Sequence, residues 1–365
     1  MSAADIVVIL PPREGFSPQH FGAISLCVAD FTRYSRFRHR TLVLGGIEGP
    51  SFDQIPFHYV SGRCFWFQSH TRAYARNCLA VIKEKRPRLV EIHNRPCIFQ
   101  DLARQWTGPL ALHLHNDPQE MRGCKTVAER KQILARAAAI YCVSQYIRDR
   151  FCEGLNEPLE KVQVVYNGLE PAFYDAPKEK KLVFVGRIKP EKGALEFAQS
   201  LAEILPHYPD WRGVFIGAAR HDPKAKITEY ERRVMQTLQP VDDRVDFRGF
   251  CAHIQVMEEL ASAEIAVVPS QWNEAFGRTA LEAMATGSAV ISTPFGGLKE
   301  VVGDAAYVLS SGASAELSTA MRTLIENIDL RKQLQQKAPQ QASHFDIRHC
   351  TAALDNIRSA VLHHP

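Results

Sequence analysis

The sequence lacks the patterns that mark several common classes of protein. Its 9 cysteines are odd in number and never spaced as a Cys-x-x-Cys pair, so neither a disulfide framework nor a thiolate zinc site is indicated. No apolar stretch approaches the roughly 18 residues that a membrane-spanning helix needs. The first residues, MSAADIVVILPP, carry no basic segment of a signal peptide. We therefore expect a cytoplasmic protein, with any membrane contact peripheral.

A dinucleotide fingerprint is also missing. The first predicted strand is followed by PPREGFSPQHFG, which does not supply the Gly-x-Gly-x-x-Gly turn that lets a helix start approach a pyrophosphate. A dinucleotide-dependent dehydrogenase is therefore disfavoured.

The composition is that of an ordinary globular protein, and its length predicts two domains. The chain has 365 residues, of which 45% are hydrophobic and 23% charged. Single hydrophobic cores stop growing near about 250–300 residues, so a chain of this length divides.

Positive charge is concentrated in the first half. Before residue 176 there are 22 Lys and Arg against 17 Asp and Glu (22 − 17 = +5), and afterwards 22 against 23 (−1). Residues 31–104 alone hold 13 basic and 5 acidic residues (13 − 5 = +8). This excess suggests an anionic partner, although a solvated basic face without a partner fits it equally well.

Short β-branched runs alternate with helical patterns along the chain. Continuous apolar strands between helices indicate a parallel sheet covered on both faces. The pattern restarts at KLVFVGRI, after the polar stretch 175–181, which is the best linker candidate. We predict an α/β protein with two doubly wound Rossmann-like domains, 1–172 and 173–344, facing a central cleft. Residues 345–365 predict an amphipathic helix, for which the first domain is one candidate partner.

The most informative segment is WNEAFGRTALEAMATGSAVISTPFGGLKEVV, residues 272–302. It predicts a strand end, a loop containing Gly277, and a helix beginning near Thr279. Free backbone N–H groups and the helix dipole at such a start suit a diphosphate. Glu274 and Glu282 flank this position, where their carboxylates suit the hydroxyls of two sugars. A diphosphate between two sugars is a nucleotide sugar.

These residues resemble the signature of family-4 retaining glycosyltransferases of the GT-B fold. The resemblance covers about thirty contiguous residues, with two glutamates eight apart, EAFGRTALEAMATGSAVI, and then FGGLKEVV with Glu300. FVGRIKPEKG adds the basic pair of the family, Arg187 and Lys192. The resemblance implies a GT-B fold and a hexosyltransferase.

The resemblance also implies roles for individual residues. Glu274 would bind the transferred sugar, Glu282 would bind the ribose, and Arg187 with Lys192 would neutralise the diphosphate. Ser270 is expected only to end its strand. The implied donor-binding set is Gly22, Asn167, Arg187, Lys192, Phe250, Glu274, Ala275, Phe276, Gly277, Arg278, Thr279 and Glu282.

In the first half, LHLHNDP ends a buried strand, where the family often has a histidine near the anomeric centre. His115 is our choice, and with Arg187, Lys192 and Glu274 it forms the predicted catalytic set. His113 is expected to point to the other side of the strand or to remain in the core. EIHNRP ends the adjacent strand. The predicted acceptor contacts are His93, Asn94, Arg95 and His113.

The resemblance implies retention of configuration, with positive charge stabilising the departing nucleoside diphosphate. No Asp-x-Asp motif is present and two basic residues can replace a cation electrostatically, so we expect no metal and no cofactor. The resemblance leaves the donor open between UDP-hexose and GDP-mannose.

The acceptor is expected to be a glycan or glycolipid, and nucleic acid is not an expected partner. A basic region interleaved with Phe65, Trp66 and Phe67 suits an anionic lipid-linked acceptor at the inner face of the cytoplasmic membrane. The motifs also resemble bacterial lipopolysaccharide and envelope-polysaccharide members of the family.

Three alternatives stay open at this point. A nucleotide-sugar epimerase or a sugar phosphorylase could use the same fold. A non-catalytic nucleotide-sugar-binding relative would lack the donor groups, which this sequence retains.

Overall fold

A computed structural model describes residues 4–18, 20–52, 54–62, 69–170, 176–218 and 226–363. The chain divides into two compact units. The first unit is Met1–Glu170 with Phe345–Pro365, and the second is Pro171–His344.

The first unit is built on a seven-stranded, wholly parallel sheet. Its strands are β1 Ile6–Ile9, β2 Thr41–Gly45, β3 Phe57–Tyr59, β4 Leu89–His93, β5 Leu110–Leu114, β6 Ala139–Cys142 and β7 Val162–Val164. Their spatial order is β3-β2-β1-β4-β5-β6-β7, and each neighbouring pair is parallel. Strands β1, β4, β5 and β6 are buried along their whole length, because helices cover both faces.

The chain reverses its winding direction in this sheet between β1 and β4, and such a switch point is where ligands bind in open α/β sheets. The helices that follow these strands are α1 Ala23–Tyr34, α2 His70–Lys85, α3 Pro96–Ala103, α4 Val127–Arg136 and α5 Gln145–Cys152.

The second unit repeats the architecture with six parallel strands. They are β8 Glu179–Val185, β9 Arg212–Ile216, β10 Val245–Phe247, β11 Ala263–Val268, β12 Ala289–Ser292 and β13 Tyr307–Val308. Their order is β10-β9-β8-β11-β12-β13, which places a switch point between β8 and β11. The helices are α6 Ala194–Ile204, α7 Glu229–Leu238, α8 His253–Ser262, α9 Arg278–Ala285, α10 Leu298–Val302, α11 Ser314–Glu326 and α12 Ile328–Ser343.

The predicted fold class is therefore confirmed, as both sheets are parallel and doubly wound. The polar stretch 175–181 is not all linker, however. Strand β8 begins at Glu179, so the last three residues of this stretch, 179–181, already belong to the second sheet. Its first residue, Asp175, lies outside the described residues.

The last helix, α13 Ile347–His363, belongs to the first unit, although it follows the whole second unit in the chain. It packs against α1 and β4. Arg358 on α13 forms a bidentate ion pair with Glu91 on β4, at 2.6 and 2.9 Å, and both side chains are fully buried. Arg358 also donates to Asp355, which accepts from Ser35 after α1. This buried network holds the terminal helix on the sheet.

We expect Arg358→Met to lower the free energy of unfolding by about 3–5 kcal/mol, because it leaves the Glu91 carboxylate buried without a counter-charge. Urea denaturation monitored by tryptophan fluorescence measures the effect. The double variant Glu91→Leu with Arg358→Met should recover most of the loss, since it removes both charges. Arg348→Ala on the same helix breaks an exposed pair with Asp346 and should cost no more than about 1 kcal/mol. Equal losses in the two single variants would contradict the assigned role of the network.

Candidate active site

The two glycine segments that the sequence singled out lie against each other in the second unit. Gly277 precedes α9 with a φ of +112°, a conformation that side chains rarely adopt, and a Cβ there would lie 2.5 Å from Leu298. The Gly297 N–H donates to the carbonyl of Glu274 at 2.7 Å. A Cβ on Gly296 would lie only 2.3 Å from that same carbonyl. The glycines therefore allow the close backbone contact that fixes the loop before α9.

Two predicted donor residues from distant parts of the sequence meet at this loop. The ammonium of Lys192, just before α6, lies 2.5 Å from Oε1 of Glu274. The ammonium also lies 5.4 Å from the ring centroid of Trp272, within cation–π range. Ser270 donates a hydrogen bond to the same carboxylate oxygen at 2.7 Å. The expectation that Ser270 only ends its strand is thus wrong, because its hydroxyl helps to hold Glu274.

Arg187 lies in the loop after β8, and its side chain is 43% exposed. Its guanidinium is 3.9 Å from Glu191, so it forms a loose pair on the surface of its own turn. The structure therefore places the two predicted basic residues in one loop, with only Lys192 in contact with Glu274.

Glu282 is buried inside α9, one turn after Arg278. One of its oxygens accepts from Nε of Arg278 at 2.9 Å and lies 2.8 Å from Nε2 of His253. Burial raises the pKa of Glu282, but the hydrogen bond from His253 and the charge of Arg278 outweigh burial and hold the pKa below its usual range. The carboxyl group is therefore ionised at neutral pH. Sequence analysis missed His253, since nothing in the pattern links it to a glutamate 29 positions away.

The remaining predicted donor residues differ in exposure. Phe276 is buried, Ala275 and Thr279 are partly exposed, and Phe250 is 41% exposed. Asn167, in the first unit, is buried, and its side-chain carbonyl oxygen has no hydrogen-bond partner in the part of the chain that the structure describes.

Gly22 is the N-cap residue of α1, but a carboxylate already occupies the space beside it. Oε1 of Glu14 accepts the backbone N–H of Ser25 at 2.8 Å, and a Cβ on Gly22 would lie 2.4 Å from that oxygen. Burial raises the pKa of Glu14 above its usual value. Gly22 therefore makes room for an internal cap on the helix.

Three histidines cluster where β4 and β5 end in the first unit. Nδ1 of His93 and Nε2 of His115 are 3.0 Å apart and share one hydrogen bond. The His113 and His115 rings stack with centroids 4.3 Å apart. The expectation that His113 points to the opposite side from His115 is wrong, because residues two apart in a strand share a face. His113 remains in the core, and neither of its ring nitrogens has a hydrogen-bond partner among the described residues.

All three imidazoles are neutral at ordinary pH. Burial lowers the pKa of His115 to about 3 and lowers those of His93 and His113 well below their usual value. Among the described residues, this is the one group of metal-ligand side chains with its ligand atoms within 4.8 Å of one another. The His113 and His115 rings are only 22° from parallel, so their in-plane lone pairs lie in nearly parallel planes, and His93 and His115 already bond each other. The arrangement fits a hydrogen-bonded pair better than a metal site.

The predicted acceptor residues are mostly inaccessible. His93, Asn94 and His113 are 3%, 2% and 1% exposed, and of the four only Arg95 is not buried. The N–H of His115 donates to the side-chain carbonyl of Asn94 at 3.1 Å. Two of the predicted acceptor residues, His93 and Asn94, thus form hydrogen bonds with His115, and a third, His113, stacks on its ring. No helix in the described part of the chain is both long and apolar enough to cross a membrane.

Comparison with known proteins agrees with this geometry. The family described as glycosyl transferases group 1 matches residues 171–341, and glycosyltransferase family 4 matches residues 28–173. The chain is 25% identical over 276 residues to a lipopolysaccharide 1,2-N-acetylglucosaminetransferase of Salmonella typhimurium, covering 69% of each chain. It is 35% identical over 136 residues to the lipopolysaccharide core biosynthesis mannosyltransferase LpsB of Rhizobium meliloti, covering 37% of this chain and 35% of that protein.

Among solved structures, HepE of Anabaena in complex with UDP and glucose has a TM-score of 0.80 at 21% identity, covering 98% of this chain and 99% of that one. The fold and the family matches define a glycosyltransferase of the GT-B fold. More particularly, the two halves match the group 1 and family 4 glycosyltransferases, which confirms the family resemblance in the sequence.

Proposed function

We propose that this glycosyltransferase moves a hexose from UDP-hexose or GDP-mannose to a hydroxyl of an envelope glycan or glycolipid, with retention of configuration. The observation that carries the proposal is the Lys192–Glu274 contact in front of the α9 N-terminus. It brings a cation and a carboxylate to the start of a helix, where the helix dipole favours negative charge, and a sugar diphosphate suits this combination. Similarity to lipopolysaccharide transferases supports the acceptor class.

In the proposed reaction, the second unit stabilises the leaving group. Lys192, Arg187 and the start of α9 offset the negative charge that develops on the diphosphate as the glycosidic bond breaks. Glu274 orients the hexose through its hydroxyls, and the ionised Glu282 accepts hydrogen bonds from the ribose. A bound diphosphate would replace Glu274 as the anionic partner of Lys192. The ammonium of Lys192 would therefore have an opposite charge beside it both with and without the donor.

His115 has a different part in this proposal. Because its pKa is about 3, it has no proton to donate as an imidazolium at neutral pH. It serves as a neutral hydrogen-bonding group beside the hexose. The acceptor's proton passes instead to a departing phosphate oxygen on the same face of the sugar. We propose that no metal or other cofactor takes part, since Lys192 and Arg187 supply the positive charge.

The first unit offers a surface for an anionic acceptor. A pocket of about 170 Å³ lies between α2 and α3, lined by Arg72, Arg76, Ala75, Asp101, Leu102 and Gln105. Arg72 and Arg76 are one helical turn apart, so both face the pocket. Phe65, Trp66 and Phe67, which the sequence linked to this surface, lie outside the described residues. We propose that this basic surface binds the acceptor's phosphate groups at the inner face of the cytoplasmic membrane.

Lys192→Ala should weaken nucleoside diphosphate binding by roughly 10- to 100-fold, the value of one hydrogen bond to a charged group. Thermal shifts with UDP, GDP and ADP first identify the base, and calorimetry with that nucleotide then gives the Kd. Lys189→Ala is the matched control, since Lys189 lies in the same turn, is 38% exposed and is 4.0 Å from Glu191. Equal affinity of the Lys192 variant and the wild type would show that this ammonium does not contact the diphosphate.

Slow hydrolysis of the donor tests the stereochemistry without an acceptor. With UDP-glucose or GDP-mannose, we expect the first free hexose observed by proton NMR to be the α anomer, since water would enter on the face that the nucleotide leaves. EDTA should not change the rate, and Glu274→Ala should abolish it. An initial β anomer would refute retention, and loss of activity in EDTA would refute metal independence. Dependence on inorganic phosphate would identify a phosphorylase, and an epimerised sugar an epimerase.

Charge reversal in the pocket should reduce membrane binding. We expect Arg72→Glu with Arg76→Glu to sediment less with phosphatidylglycerol vesicles than the wild type, most clearly at low salt, because exposed charges are screened. Arg232→Glu with Arg233→Glu on α7 makes the same change in net charge at another surface. An equal loss in both double variants would indicate a general charge effect and not a site.

A further inference from the structure

The end of β4 has an unusual backbone. Asn94 follows the strand with a φ of +55°, in the left-handed region that only glycine and, less often, asparagine adopt readily. Its N–H still donates to the carbonyl of His113 at 2.7 Å, which is the last ladder bond between β4 and β5. The chain then turns away from the sheet toward α3.

The side chain of Asn94 replaces a backbone hydrogen bond that β4 no longer makes with the residues after β5. Once β4 has turned away, its backbone no longer pairs with the residues beyond the end of β5. The side-chain carbonyl of Asn94 accepts the N–H of His115 at 3.1 Å in its place. The backbone of His115 is therefore held in line with β5, although the residue lies outside the strand.

A second contact fixes the ring of His115. Its Nε2 shares a hydrogen with Nδ1 of His93, and both residues are buried. Since both rings are neutral, one nitrogen of the pair must be protonated and the other bare, so the bond also restricts the tautomer. This leaves Nδ1 of His115 as the ring nitrogen not engaged by His93.

Packing alone does not account for these groups. A left-handed asparagine and a buried imidazole pair each cost free energy, and so do the His113 nitrogens, which lack a hydrogen-bond partner within the described ranges. A strand end of apolar residues would avoid all three costs. Such local costs cluster where a structure must hold a functional group in place.

We infer that His93 and Asn94 are positioning residues for His115, one fixing its ring and tautomer and the other its backbone. The inference rests on the proposed part of His115 in glycosyl transfer. It replaces the direct acceptor contacts expected of His93 and Asn94 by an action through His115.

Isosteric variants of His93 separate this role from mere packing. The amide of asparagine lies where Nδ1 of histidine lies, whereas the amide of glutamine lies near Nε2. The test measures nucleoside diphosphate release from the donor that the thermal shifts identify. His93→Gln should lower kcat by up to about 100-fold, the effect of misplacing a group by about 1 Å, with KM and nucleotide Kd unchanged. His93→Asn should stay within a few-fold of the wild type.

Asn94 offers a second pair in case the His93 variants fail to fold. Asn94→Gly keeps the left-handed backbone without strain but removes the side-chain acceptor, and it should lower kcat. Asn94→Asp keeps an acceptor oxygen at the same place and should retain most activity. Melting temperatures verify that all four variants are folded.

The ring nitrogen shifts of His115, measured by long-range proton–nitrogen NMR, report its tautomer independently of turnover. They should be unchanged in His93→Asn and altered in His93→Gln. The inference is overturned if an active wild type gives equal kcat for the two His93 variants, or if the His115 shifts respond to neither. A wild type that turns over no nucleotide sugar would instead overturn the proposed function, and this role with it.

Discussion

A parallel sheet that is covered on both faces confines its polar groups to the ends of its strands, and the candidate site depends on that constraint. Strands such as β1, β5 and β12 are buried throughout, so they can carry few charges along their length. The loops that leave the carboxyl ends of the strands have no such restriction. Ser270 and Glu274 follow β11, Arg187 and Lys192 follow β8, and His115 follows β5. In the second unit, β8 and β11 are neighbours at the switch point, which explains why Lys192 and Glu274 meet despite a separation of 82 residues.

The few charges inside the sheets are paired, and one pair holds helix α13 on the first unit. Glu91 on β4 would be untenable in the core alone, but Arg358 on α13 neutralises it with two hydrogen bonds. The terminal helix is thus tied to the first unit although the second unit intervenes in the sequence. Glu91 belongs to a strip of polar side chains on one face of the sheet, because Glu91 and His93 share a face of β4. His93 pairs in register with His113 on β5, and His113 pairs with Tyr141 on β6. The histidine cluster is the end of this strip nearest the strand termini.

The sequence allowed the fold and the glycine loop before α9 to be predicted because their signals are local. Alternating strand and helix patterns are read within short windows, and EAFGRTALE lies on one loop and one helix. Other features depend on residues that are brought together only by folding. Nothing near Glu282 indicates His253, and nothing near Glu91 indicates Arg358. The shared side of His113 and His115 follows directly from the two-residue period of a strand. The left-handed backbone of Asn94 could not be predicted from the sequence, since EIHNRP fits several turn conformations.

The two units differ in the charge of their candidate site residues, and this difference matches their separate roles in the proposed reaction. In the second unit the lowered pKa of Glu282 keeps its carboxyl group ionised, and Lys192 lies in contact with the Glu274 carboxylate. In the first unit burial keeps three imidazoles neutral, at the cost of desolvating their nitrogens. Breaking a bond to a diphosphate creates charge on the phosphate, where fixed cations stabilise it without rearrangement. A charged imidazole beside the sugar would raise the energy of an oxocarbenium-like carbon by repulsion. In the proposed reaction, a neutral imidazole that is held rigidly by its neighbours would orient the sugar without that penalty.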